Sequence, residues 1–133
     1  MNQNKKVKLS INGLKQLCTE NVVELKFDRR RPSGYAFPHR RMLCTLDPAI
    51  LDSELGLKIL NFKKPVTSAA YNTYSRNLLT VWDIIMQDWR NIPVENTNVI
   101  ATVPTKPPEK FWEYFNKVIS KMTSKQKANF INK

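Results

Sequence analysis

The stretch Val22–Asp47, VVELKFDRRRPSGYAFPHRRMLCTLD, decides the fold. Over Val22–Asp28 the side chains alternate, with Val23, Leu25 and Phe27 on one side and Glu24 and Lys26 on the other. A period of two is the spacing of a strand with one buried face. An answering strand over Arg41–Leu46 turns Met42, Cys44 and Leu46 inward and Arg41, Leu43 and Thr45 outward. Pro32, Gly34 and Pro38 keep the connection between the two irregular. The pattern predicts an antiparallel hairpin with a long, arginine-rich loop.

Working outward, Met1–Lys8 is a polar, basic arm. Leu9–Glu20 is a short element. It reads as a helix capped by Ser10 or Asn12, with Leu14, Leu17 and Cys18 at helical spacing, or as a short strand ending at Gly13. On the far side, Asp47-Pro48 starts a helix: the carboxylate accepts from orphan amides and proline takes the first helical position. Gly56 is its expected stop, and Ile50, Leu51 and Leu55 face an open barrel end. A polar connection over Asn61–Asn77 leads to a strand at Leu78–Ile85, a turn at Met86–Asp88, and further strands at Trp89–Ile92 and Val99–Val103. After Pro104, Pro107 and Pro108, a single helix is predicted from Glu109 to about Phe130. Its apolar stripe is Phe111, Phe115, Val118 and Met122, widened by Trp112 and Ile119; Lys110, Lys117, Lys121 and Lys125 lie opposite. The fold class is therefore mainly β (α+β). Residues 1–20 form an arm with a short element, and residues 21–104 an antiparallel barrel of about five strands. Residues 105–133 form an amphipathic helix. The predicted barrel core is Val23, Leu25, Phe27, Cys44, Leu46 and Val81.

Two blocks carry a family resemblance. Arg40–Asp47 fits the pattern R-x-M-x-C-T-L-D, and Val81, Trp82, Asp83, Trp89 and Arg90 fit V-[FW]-D, a short turn, then W-R. Together they resemble the WYL-like small proteins of tailed bacteriophages, over roughly Val22–Pro104. The resemblance implies an Sm-like, SH3-type β-barrel and a phage origin, with the cytoplasm of the infected bacterial host as the place of action. It implies no mechanism. The chain departs from the family at Arg29–Pro38, which replaces a tight D-G turn. It departs again at Asn91–Val99, where Pro93 stands in place of a basic residue.

Lys and Arg number 22 against 11 Asp and Glu, a net charge of +11, which favours a polyanionic partner. The candidate nucleic-acid site is Lys26, Arg29, Arg30, Arg31, Arg40 and Arg41. Guanidinium groups suit phosphates there, while Tyr35 and Phe37 are placed to stack on unpaired bases. The bland reading of the same loop is a solvated segment with its aromatics folded back. The lysines of the last helix form a secondary basic face or a simple solvated one, Trp82 and Trp89 read as packing, and Arg90 reads as an ion pair with Asp83 or Asp88. One histidine, no clustered carboxylates and no phosphate loop argue against an enzyme, and no cofactor is expected. Cys18 and Cys44 form no CxxC and read as reduced thiols, so no metal is expected. Met1–Ser10 lacks the apolar run of a signal peptide, and no segment has the length to span a bilayer. Two functions follow: a phage-encoded, non-enzymatic barrel that binds DNA or RNA, or a module that grips an acidic face of a host or viral protein. The short link to the last helix slightly favours a docked monomer over pairing of two copies through that helix.

Overall fold

A computed structural model describes residues 9–30, 38–59 and 74–133. Five antiparallel strands form one sheet: β1 (Asn21–Asp28), β2 (His39–Thr45), β3 (Leu78–Asp83), β4 (Asp88–Pro93) and β5 (Thr97–Pro104). Their order is β4-β3-β2-β1-β5, a meander whose last strand returns to pair with the first. β1 joins β2 in the register Val23–Cys44, Leu25–Met42, and opposite Glu24/Leu25 the partner strand β5 carries one extra residue, Ile100, a bulge that bends it. The sheet curls enough to bring β1 close to β4, although two strands separate them.

Each face carries its own core. One face buries Val23, Leu25, Phe27, Met42, Cys44, Leu79, Val81 and Ile92 under α1 (Ile11–Glu20), which contributes Leu14 and Cys18. The predicted barrel core is therefore buried, except that Leu46 is only partly so. Ser10 accepts from the Gly13 amide at 3.1 Å and so selects the helix over the short strand for this element. The two core thiols meet: a hydrogen bond with Cys18, reinforced by burial, raises the Cys44 thiol well above its ordinary value. The opposite face gathers Val22, Trp82, Ile84, Ile85, Ile50 and Leu51 beneath Phe111, Trp112, Phe115 and Ile119.

Several boundaries differ from the sequence expectations. Thr45 faces inward in effect: it is fully buried, and its hydroxyl lies 3.3 Å from the Cys18 carbonyl and 3.1 Å from that of Asn21, tying α1 to β2. β3 stops at Asp83 rather than Ile85, because the Asp83 carboxylate accepts the Ile85 and Met86 amides and folds the chain into a turn. Asp47 caps α2 (Pro48–Leu51) as expected, but Gly56 is not the stop. It lies inside α3 (Glu54–Ile59), buried against α2, and the outward side chain of Leu55 is exposed. A Cβ at Gly56 would stand 2.1 Å from the Ile50 carbonyl oxygen. Gly56→Ala should therefore push α3 off α2 and cost about 1–3 kcal/mol. An unchanged denaturation midpoint would show that α3 shifts freely.

The predicted long helix is broken. α4 (Pro108–Lys117) is followed by a 3-10 turn at Ile119–Lys121 and then α5 (Ser124–Ile131). Thr123 caps α5, its hydroxyl taking the Gln126 amide while the Gln126 side chain takes the Thr123 amide. This capping box starts a new helix where the old one was expected to continue. The break redraws the stripe: Phe111, Trp112, Phe115 and Ile119 are buried, Met122 is half-buried, and Val118 is 45% exposed. Among the described residues, no helix is long and apolar enough to cross a membrane.

Candidate nucleic-acid interface

Alternation along β2 splits the predicted basic cluster. Arg40 shares a face with Met42 and Cys44, whereas Arg41 faces the other way, beside Lys26 on β1. Arg31, Tyr35 and Phe37 lie outside the described residues. The remaining members form three separate groups.

The first group lies at the open end of the α1-covered face. Arg40 donates to Asp83 at 2.5 Å, and the side chains are only 14% and 2% exposed. Burial lowers the Arg40 pKa, opposed by Asp83 and aided by the positive charges of Arg90 and Arg29. Asp83 is itself raised by burial, against the pull of two backbone amides and of Arg40 and Arg90. Arg90 reaches this group from β4, where it stands opposite Val81, and pairs with Asp88 at 2.6 Å. Asp83 thus belongs to Arg40, and the Arg90 ion pair is with Asp88. Arg29 joins by donating to the His39 carbonyl at 2.9 Å. Three arginines, Arg29, Arg40 and Arg90, converge here.

The second group is Arg30, which grips Glu95 through two nitrogens, at 2.7 and 2.5 Å, and donates to the Arg76 carbonyl. This contact holds the Glu95 carboxyl below its ordinary range. Both side chains remain over a third exposed. Exposed pairs of this kind are worth ~0.2–1 kcal/mol, so a phosphate can replace the carboxylate at little cost.

The third group lies on the opposite face. Arg41 pairs with Glu24 at 2.5 Å and sits 5.0 Å from the centre of the Phe130 ring. Lys26 donates to the main-chain oxygen of Lys133 at 3.0 Å, and the His39 ring meets the Asn132 carbonyl at 3.1 Å. Lys26 and Arg41 are thus under the end of α5 rather than in the arginine loop.

The lysine row is also divided. Lys110, Lys117, Lys121 and Lys125 are exposed, but the break after α4 distributes them over separate segments, and Lys117 pairs with Glu113. Trp82 is buried and meets Trp89 edge-on at 5.3 Å, a packing arrangement. No cluster of three or more metal-ligating side chains occurs among the described residues. A cleft of about 520 Å³ lies between the end of α1, the start of α2 and Pro104–Lys106. Its one buried carboxylate, Asp47, is engaged by the Ala49 amide and the Thr105 hydroxyl. Comparison of the chain with protein-family models, curated proteins and solved structures finds no match, so the resemblance in Arg40–Asp47 and Val81–Arg90 rests on those residues alone.

Proposed function

We propose that this protein binds DNA or RNA without chemistry, through the arginine-lined end of the sheet. The observation that carries the reading is the convergence of Arg29, Arg40 and Arg90, with the Arg30–Glu95 pair at hand, on a chain of net charge +11. The groups divide in role. Arg40 is held by a buried partner and shapes the surface, while Arg30 and Arg90 have exposed partners that a phosphate can displace. Contacts of this type fix position more than sequence, so preference among sequences is weak. Strand order, the bulge in β5 and the approach of β4 to β1 support an SH3/Sm-type barrel. A phage protein acting in the cytoplasm of an infected bacterium is the setting that agrees with the resemblance.

Replacing Arg29, Arg30 and Arg31 together with serine tests this. Fluorescence anisotropy with DNA and RNA oligonucleotides at moderate salt should show affinity falling tenfold or more, because lost phosphate contacts are lost counterion releases. Thermal stability should fall slightly, since Arg30–Glu95 is exposed and Arg29 donates to a backbone carbonyl. Unchanged affinity in a folded variant moves the site elsewhere.

A second reading, attachment to a protein partner, is favoured by β5. It is an edge strand whose Val99, Ile100 and Val103 are exposed, and its sequence TNVIATVP contains no charge to discourage strand addition. Absence of any oligonucleotide binding at low salt would leave this reading in place of the first.

A further inference from the structure

α5 lies on the face opposite α1, over the outer side of the β1–β2 hairpin. Strand register places Lys26 directly across from Arg41, which also pairs with Glu24, and Asp28 across from His39, so a second pair of cations of the chain's own lies there. That site is covered. The Phe130 ring lies against the Arg41 guanidinium, the Lys133 main-chain oxygen takes the Lys26 ammonium, and the Asn132 carbonyl takes the His39 ring. The contacts are those an anion would otherwise make: two main-chain oxygens and an aromatic face stand where phosphate oxygens and a base would sit.

The cover is weakly held. α5 has eight residues and buries none of them fully; only Phe130 packs partly against the core beneath α4. It is separated from α4 by a 3-10 turn and an extended Met122, so it can leave while α4 stays docked. An isolated helix of this length is marginal in water, so its docked state depends on these few contacts.

We propose that α5 is a displaceable cover over a nucleic-acid-binding surface formed by Lys26, Arg41 and His39, and that it restrains the affinity of the full chain. The inference rests on the nucleic-acid reading above and adds its regulation. Segment 123–133 competes with the phosphate backbone for the same cations, so only the undocked fraction is competent at this site.

Charge makes the test decisive. Segment 123–133, TSKQKANFINK, carries Lys125, Lys127 and Lys133 and no acidic residue, so removing it lowers the net charge from +11 to +8. Electrostatics alone then predicts weaker binding of a polyanion. The cover predicts the opposite sign. Anisotropy with a single-stranded oligonucleotide should show the chain ending at Met122 binding about fivefold tighter than the full chain. Phe130→Ala, which keeps every charge, should tighten binding in the same direction and serves if the shortened chain does not melt cooperatively. Adding Lys26→Ala and Arg41→Ala to either should abolish the gain. Equal or weaker binding by both uncovered variants overturns the cover. Heparin, titrated in parallel, separates the two ideas. A gain for heparin with no oligonucleotide binding by any form keeps the cover and ends the nucleic-acid reading, whereas no gain for either polyanion ends the cover.

Discussion

Arg40→Ala is expected to destabilise the protein by about 3–5 kcal/mol, the cost of leaving a buried charge without its partner. Asp83 is 2% exposed, and its other oxygen already serves the Ile85 and Met86 amides, so removing the guanidinium leaves a buried carboxylate oxygen without its partner. The effect has a pH signature. Burial raises the Asp83 pKa in the folded protein, so the folded state holds this proton more tightly than the unfolded chain. Between the unfolded and folded values stability therefore falls as pH rises, and above both the penalty is complete. Without Arg40 the folded value rises further, which widens that window. The variant should recover part of its loss as the pH is lowered through the Asp83 range, while the parent recovers less. Asp83→Asn in the same background should restore part of the stability at neutral pH, because the amide oxygen still accepts the two backbone bonds. Chemical denaturation of the parent and these variants at two or three pH values measures this. A loss under 1 kcal/mol in Arg40→Ala would assign Arg40 to the surface and return it to the list of phosphate contacts.

Where the strands lie was largely legible, because each burial pattern is set by the chain's own alternation. Val23, Leu25 and Phe27 could not be turned outward without exposing all three at once. The helices were less legible. Thr123 and Gln126 form a capping box visible in the sequence, but the continuous stripe Phe111, Phe115, Val118, Met122 pointed to one long helix. Gly56 resembled a helix stop because glycine often ends helices, whereas here it is needed for the close approach of α3 to the Ile50 carbonyl. The candidate site was legible as a charge excess but not as an arrangement. Arg40 and Arg41 are adjacent in sequence and therefore on opposite faces of β2, a consequence of strand geometry that a count of arginines ignores. The assignment of Asp83 to Arg40, the entry of Arg90 from β4 and the placement of α5 over Arg41 depend on pairings between distant segments, which no local pattern encodes.

Truncation after Thr105 is expected to abolish cooperative folding. The face of the sheet bearing Val22 and Trp82, together with Ile84, Ile85, Ile50 and Leu51, is closed chiefly by Phe111, Trp112, Phe115 and Ile119. Burying side chains of this size is worth roughly 1.5–3 kcal/mol each. Four of them therefore supply a large share of the roughly 5–15 kcal/mol that separates folded from unfolded domains. The loss is double-sided, since the residues beneath would also be exposed as one apolar patch. Phe115→Ala grades the same effect without removing the helix. Phe115 is 1% exposed and stacks near Phe111 and Trp112, so its truncation leaves a cavity that rigid neighbours fill poorly, at a cost of about 3–5 kcal/mol. Tyr114, one residue earlier and half exposed, provides the control: Tyr114→Ala should cost less than 1 kcal/mol. Thermal melts and light scattering on the full chain, the truncated chain and both point variants measure stability and mass together. A truncated chain that keeps its melting temperature and mass would show that α4 is an arm resting on a self-sufficient sheet, and its aromatic face would then be open to a partner.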